Sequence, residues 1–138
     1  MVDFVSQEMR SKIMRGVKSV DTKPEMLVRR AMHRLGYRFR IHRKDLPGKP
    51  DIVLPRHNLV VFVHGCFWHQ HSGCKDGRMP SSNTEFWEQK FSANRARDAI
   101  HTAALMELGW RVEVIWECQT LDPGRLSARL AEMFAPID

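Results

Sequence analysis

One segment limits what this chain can fold into more than any other. His64-Gly-Cys-Phe-Trp-His-Gln-His-Ser-Gly-Cys74 packs three histidines and two cysteines into eleven residues, directly after the aliphatic run Leu59–Val63. Cys66, His71 and Cys74 offer thiolate and imidazole donors at a spacing that suits tetrahedral Zn²⁺. Three ligands leave one position open, and Cys118 closes it if the strand preceding it lies beside the loop. A Cys₃His site then uses all 3 cysteines of the chain. Such a closed site is structural and staples an irregular loop to a sheet. The plainer alternative is a set of free, buried thiols.

The flanking pattern supplies that sheet. Thr22 is placed to cap a helix that takes Pro24 in its first turn and ends at Gly36, with Glu25 completing a capping box. Tyr37, Phe39 and Ile41 alternate with Arg38, Arg40 and His42, which predicts a strand with one basic face. Asp45-Leu-Pro-Gly-Lys-Pro50 is a turn, and Asp51–Leu54 and Leu59–Val63 are expected to pair as an antiparallel hairpin. Residues 64–83 lack periodicity and are expected to be loop. A long helix over 84–108 precedes an alternating strand, Trp110–Trp116, whose tryptophans are expected in the core. Asp122 then caps a final helix ending near Phe134. The order of elements predicts an α/β fold, a mixed sheet flanked by helices. Residues 1–138 are expected to form a single domain, with residues 1–20 a basic N-terminal arm that includes a short helix over 6–18.

Charge bears on the partner. The chain carries +6 overall, and residues 1–50 alone hold 13 basic and 5 acidic side chains, a net +8, against −2 for the remainder. Positive charge concentrated in the first third suits a polyanion, although a solvated basic face has the same composition. No run is long and apolar enough to span a bilayer or to serve as an export signal, so the expected location is the cytoplasm with thiols reduced.

Just upstream of the histidine-rich loop stands Pro50-Asp51 at a turn-to-strand junction, with the next strand ending at Val63-His64. A carboxylate opening one strand, and a metal-facing group a dozen residues on at the end of its neighbour, is the layout of a Mg²⁺-dependent nuclease hairpin. The carboxylate and lysine that such hairpins usually carry on the second strand are replaced here by Phe62-Val63-His64. Mg²⁺ would therefore rest on Asp51 and the backbone carbonyl of Val63, with water filling its other positions. His69 has the chemistry to take a proton from an attacking water, and His64 to contact the scissile phosphate. Glu25 is either a carboxylate that holds a metal-bound water or only a capping residue, and the two roles are compatible. Phe67 and Trp68, with Trp87 at the start of the long helix, either stack between bases or cover the zinc site and core.

These pieces together resemble the very-short-patch mismatch repair endonucleases. The resemblance spans nearly the whole chain. It is carried by Arg10-Ser-Lys-Ile-Met-Arg15, Asp21-Thr22 with Glu25, Leu46-Pro-Gly-Lys-Pro-Asp51, Phe62-Val-His-Gly-Cys-Phe-Trp-His69, Thr84-Glu-Phe-Trp87, and Glu107-Leu-Gly-Trp-Arg111 with Val114-Ile-Trp-Glu-Cys118. It implies a restriction-endonuclease-like fold with a structural zinc on Cys66, His71, Cys74 and Cys118. It further implies Mg²⁺-dependent nicking of one DNA strand 5′ of the thymine in a T:G mismatch left by deamination of 5-methylcytosine, and so a functional link to a cytosine-5 methyltransferase. One strand cut requires only a monomer. Asp51 corresponds to the metal ligand and His69 to the general base, with His64 and Glu25 in support and Asp98 orienting His64. Phe67, Trp68 and Trp87 match aromatics that wedge into DNA, Met14 approaches from the minor groove, and Lys90 and Asn94 match positions reading the mismatched pair. Val63 stands where the family often has threonine, and the loop is one residue longer before Cys74, with Gln70 and Ser72 replacing histidines. Two further readings are a homing- or restriction-type site-specific nuclease of the same fold and a zinc-stapled DNA-binding module without catalysis.

Overall fold

The structure, a computed structural model, describes residues 21–74 and 77–135. The expected helix over 6–18, Met14 and the rest of the arm lie outside the described residues. Helix α1 (Lys23–Arg34) begins where the capping signals predict: the Thr22 hydroxyl accepts the Glu25 amide at 3.4 Å, and Pro24 sits in the first turn. The capping box is displaced by one residue, because the Glu25 carboxylate accepts from the Asp21 amide (3.1 Å). Gly36, at φ +88°, ends the helix in a conformation that costs glycine little.

Strands β1 (Ile52–Leu54) and β2 (Leu59–His64) form the antiparallel hairpin, joined by a 3₁₀ turn over Pro55–His57 and by Asn58 at φ +49°. Helix α2 (Thr84–Glu107) carries the chain back to β3 (Arg111–Trp116), which pairs with β2 in parallel, giving the sheet order β1-β2-β3. A short helix α3 (Glu117–Thr120), absent from the periodicity, follows at once, and α4 (Pro123–Met133) is capped by Asp122, which accepts from Gly124 N at 2.8 Å.

The predicted strand over 37–42 does not form. It is reduced to a single bridge, in which Arg40 and Val53 exchange both backbone hydrogen bonds (2.7 and 2.9 Å). Its alternation holds only in part: Tyr37 and Phe39 pack on the core while Arg38 and Arg40 face solvent, but Ile41, expected on the apolar face, is exposed. His42 at φ +57° turns the chain away before a ladder can extend.

Both faces of the sheet are covered. Ile52, Leu54, Leu59, Val61 and Ile115 pack against Val28 and Met32 of α1 and Leu126, Leu130 and Met133 of α4. Val53 and Val60 point the other way, onto Leu105 of α2 with Leu46, Phe62, Trp110 and Val112. Two-sided burial explains why β1 and β2 read as continuous aliphatic runs. Among the described residues no helix is long and apolar enough to cross a membrane.

Candidate active site and metal centre

Parallel pairing of β2 with β3 sets His64 opposite Trp116, so both strands end at one level. Two residues further along each chain come Cys66 and Cys118, and the Cys118 amide donates to Cys66 Sγ at 3.4 Å. The loop then curls back, and Cys66, His71, Cys74 and Cys118 bring one donor atom each to within 4.8 Å of one another. His71 Nδ1 lies 3.6 Å from Cys66 Sγ and 3.5 Å from Cys118 Sγ. Tetrahedral zinc, with bonds of about 2.3 Å to sulfur and 2.0–2.1 Å to nitrogen, requires a sulfur–nitrogen edge of about 3.6 Å. Burial and the neighbouring thiols push the Cys66 thiol up to about 12, while burial keeps His71 below its usual range. A buried Cys66 thiol that resists ionisation on its own, crowded by two further thiols and an imidazole held below its usual range, is what a bound cation would stabilise. The four expected ligands are therefore assembled, and the cluster can hold a metal such as zinc.

The second constellation opens on the other side of Cys66. Asp51, immediately before β1, is pinned twice: its amide donates to the Val61 carbonyl (3.1 Å) and its carboxylate accepts the Val63 amide (2.7 Å). The Leu46–Pro50 turn is seated on α2 by Gly48 at φ +74°, where any Cβ would come within 2.8 Å of His101 Cβ. Burial and the nearby Glu25 carboxylate raise Asp51 to about 7, against the relief given by the Val63 amide. Glu25 is only 3% exposed and is held by the Arg29 guanidinium at 3.0 Å. Arg29 also binds Asp21 (2.8 Å), which His42 bonds from the other side (2.8 Å). Two carboxylates crowded at the end of a strand pair, with a backbone carbonyl at Val63, form an oxygen-donor set suited to a hard divalent cation.

His64 and His69 face each other in a parallel stack, with centroids 3.8 Å apart and planes inclined by 3°. Asp98 on α2 bonds His69 Nδ1 at 2.7 Å. The expected pairing of Asp98 with His64 is thereby corrected: one helical face presents Asp98 to the outer ring of the stack, and His64 lies beneath it. Burial, then the neighbouring His69, lowers His64 to about 4, so it is neutral at pH 7. Glu25, Asp51, Val63, His64, His69 and Asp98 all line one cleft, which His42, Lys44, Lys49 and His101 edge with basic groups.

The aromatics resolve differently from one another. Trp87 is 2% exposed, packed on Phe91 and against Phe67 (5.3 Å, planes 75° apart), so in this structure it covers the core. Phe67 and Trp68 are half-buried and line the cleft. Asn94 donates to the Trp68 carbonyl at 3.1 Å and so tethers this loop to α2. Lys90, one turn earlier, is half-buried. The expectation that Trp116 belongs to the core is overturned. It joins neither hydrophobic cluster and instead touches His64, His69 and His71. Sequence reasoning missed Phe91, Trp116, Lys49 and His101; the Trp-Glu-Cys118 string was the one available signal for Trp116.

This combination defines a restriction-endonuclease-like α/β protein, in which a cysteine–histidine metal staple adjoins an acidic, histidine-lined cleft. Residues 2–75 match the family model described as DNA mismatch endonuclease Vsr. The chain is similar to the type II nicking enzyme V.XorIIP of Xanthomonas oryzae pv. oryzae, 53% identical over 136 residues and 99% of both chains. It is similar to the type II nicking enzyme V.NmeAIP of Neisseria meningitidis, 41% identical over 99% of this chain and 97% of the relative. To the DNA mismatch endonuclease Vsr of Escherichia coli it is 39% identical, over 96% of this chain and 87% of the relative. The chain belongs to the DNA mismatch endonuclease Vsr family.

Proposed function

We propose that this protein is a Mg²⁺-dependent endonuclease that nicks one DNA strand on the 5′ side of the thymine in a T:G mismatch. The mismatches it serves are those left when 5-methylcytosine deaminates, so its partner in function is a cytosine-5 methyltransferase. It acts as a cytoplasmic, single-domain monomer. The observation that carries the reading is the 2.7 Å bond from His69 Nδ1 to Asp98, in one cleft with the crowded Asp51 and Glu25. Family membership supports DNA as the substrate and strand nicking as the outcome.

Asp51 and the Val63 carbonyl would hold Mg²⁺, with Glu25 acting through a water. Bound there, the ion supplies charge neutralisation for the phosphate and a template for the attacking water. Asp98 fixes the His69 tautomer by accepting a hydrogen bond from Nδ1–H, which leaves Nε2 with a free lone pair. That nitrogen takes a proton from the water as it attacks phosphorus. His64, neutral at pH 7, holds a phosphate oxygen by hydrogen bonding. Phe67 and Trp68 wedge into the duplex from the major groove, with Trp87 packed against Phe67 behind them. Met14 enters from the minor groove, and Lys90 and Asn94 read the mismatched pair. Zinc on Cys66, His71, Cys74 and Cys118 holds the loop that carries His69 and the wedge.

The test is a duplex labelled on both strands that carries T:G within a CC(A/T)GG-derived context, beside a T:A control, each with Mg²⁺ and with EDTA. A Mg²⁺-dependent nick only in the thymine strand of the mismatched duplex is expected. Equal cutting of both duplexes would replace the mismatch reading by that of a site-specific nuclease. If neither duplex is cut, a panel of other methyltransferase contexts follows, and failure across the panel would leave a DNA-binding module.

A further inference from the structure

Trp116 contacts three rings across the two constellations. Its indole stacks on His71 of the cysteine–histidine cluster (centroids 4.1 Å, planes 8° apart). The same indole meets His64 in a T-shaped contact at 5.3 Å and 75°, and His69 at 6.4 Å and 72°. Among the described residues no hydrogen bond holds the His64 ring. His69 is tied laterally by Asp98, whereas His64 is located by ring packing alone, between His69, Phe62 (5.9 Å) and Trp116. A parallel stack resists separation of its rings but offers little resistance to sliding, so an edge-on neighbour is what fixes their overlap. The neighbour is itself immobilised. Glu117 Oε1 accepts the Cys66 amide at 3.4 Å, and Cys118 is bound into the cluster, so the residues after Trp116 are anchored on the strand end that carries His64.

We infer that Trp116 is a positioning residue for the His64–His69 pair, clamped against it by His71, so that the metal staple sets the alignment of the reacting histidines as well as the loop. The inference rests on the reading of that pair as the reacting groups. A misalignment of about 1 Å at reacting groups costs on the order of a hundredfold in rate. The loss expected from Trp116→Leu is therefore about 30- to 100-fold in the single-turnover nicking rate, with DNA affinity within about threefold of the parent. Trp116→Phe keeps a flat ring against both neighbours and should recover most of that loss.

The experiment uses the full chain with its metal. It measures single-turnover nicking, DNA Kd, zinc per chain, and the imidazole ring-proton resonances of His64 and His69. Full zinc with a selective fall in rate, rescued by Phe, and with displaced His64 resonances supports the assignment. A parent-like rate in Trp116→Leu, or a loss that tracks zinc content and is repaired by added zinc, overturns it. Should Trp116→Leu fail to fold, Trp116→Met decides, since a parent-like nicking rate with unmoved His64 resonances in that non-aromatic variant would remove Trp116 from the pair. His69→Ala is measured in parallel. If it nicks normally, the reading of the histidines as reacting groups fails; if it is inactive while Trp116→Leu is normal, only the positioning role of Trp116 fails.

Discussion

The cysteine–histidine cluster and the acidic cleft begin at opposite sides of Gly65, yet they are assembled in different ways. Three of the cluster's four donors come from nine consecutive residues, and the short helix α3 that follows β3 supplies the fourth. The cleft draws Glu25 from α1, Asp51 from a turn, His64 from β2, His69 from the loop and Asp98 from α2. Both collect groups whose charge is suppressed by burial and crowding, Cys66 in one and Asp51 in the other. The cluster can be satisfied by closing a loop, whereas the cleft exists only after the sheet and both flanking helices are in place. Damage to the first should therefore appear as lost stability, and damage to the second as lost rate on an intact fold.

Asp51→Asn tests that separation most severely. Nicking should fall by about a thousandfold or more, while zinc content stays near the parental value and the fold stays intact. A collapse of the fold in this variant would break the distinction between the two regions. Cys118→Ala should do the reverse: zinc content drops, and stability falls by roughly 3 kcal/mol or more because metal binding and folding are coupled. Full zinc in that variant would remove Cys118 from the cluster. Asp98→Asn should slow nicking by about tenfold to a hundredfold, less than the 10²- to 10⁴-fold attributed to a general base. Its effect should vanish in a His69→Ala background, because its hydrogen-bond partner is His69; additive losses would restore His64 as the partner.

The smallest effect is on pH dependence. Asp51 has a folded pKa of about 7 against 3.8 for the ordinary side chain, so between those values the folded state holds a proton that the unfolded chain releases. Without Mg²⁺, its contribution is fully present below about pH 4 and is lost as pH rises through 7. Asp51→Asn does not titrate, so in EDTA it should exceed the parent in stability at pH 8 by roughly 1–2 kcal/mol and by less at pH 5. Denaturant melts at the two pH values check this. An unchanged difference would mean that Asp51 and Glu25 are not crowded in the free protein.

Much of the site was legible from spacing alone. Cys66, His71 and Cys74 announce a metal loop by their types, and Pro50-Asp51 followed by Val63-His64 marks the hairpin whose ends meet. The helix over 84–108 was readable from its length and its Gly109 stop. Legibility failed where a contact depends on distant elements. Asp98 sits on a helix that presents a whole face to the loop, and whether it meets His64 or His69 turns on a rotation of a few tens of degrees. Trp116 ends an alternating strand, so periodicity assigned it to the core, but the sheet ends there and leaves its ring facing the site.

The sequence by itself determined the order of the main helices and of the three paired strands, the donor set for the metal cluster and the carboxylate that opens the hairpin, because each depends on residue type and short-range spacing. Only the tertiary structure decided that the predicted strand over 37–42 is a single bridge, that Trp87 is buried, that Asp98 belongs to His69 and that Trp116 stands between the metal cluster and the histidine pair. Those outcomes depend on how far each sheet edge extends and on which face a helix presents when packed, and both are settled by contacts between residues far apart along the chain.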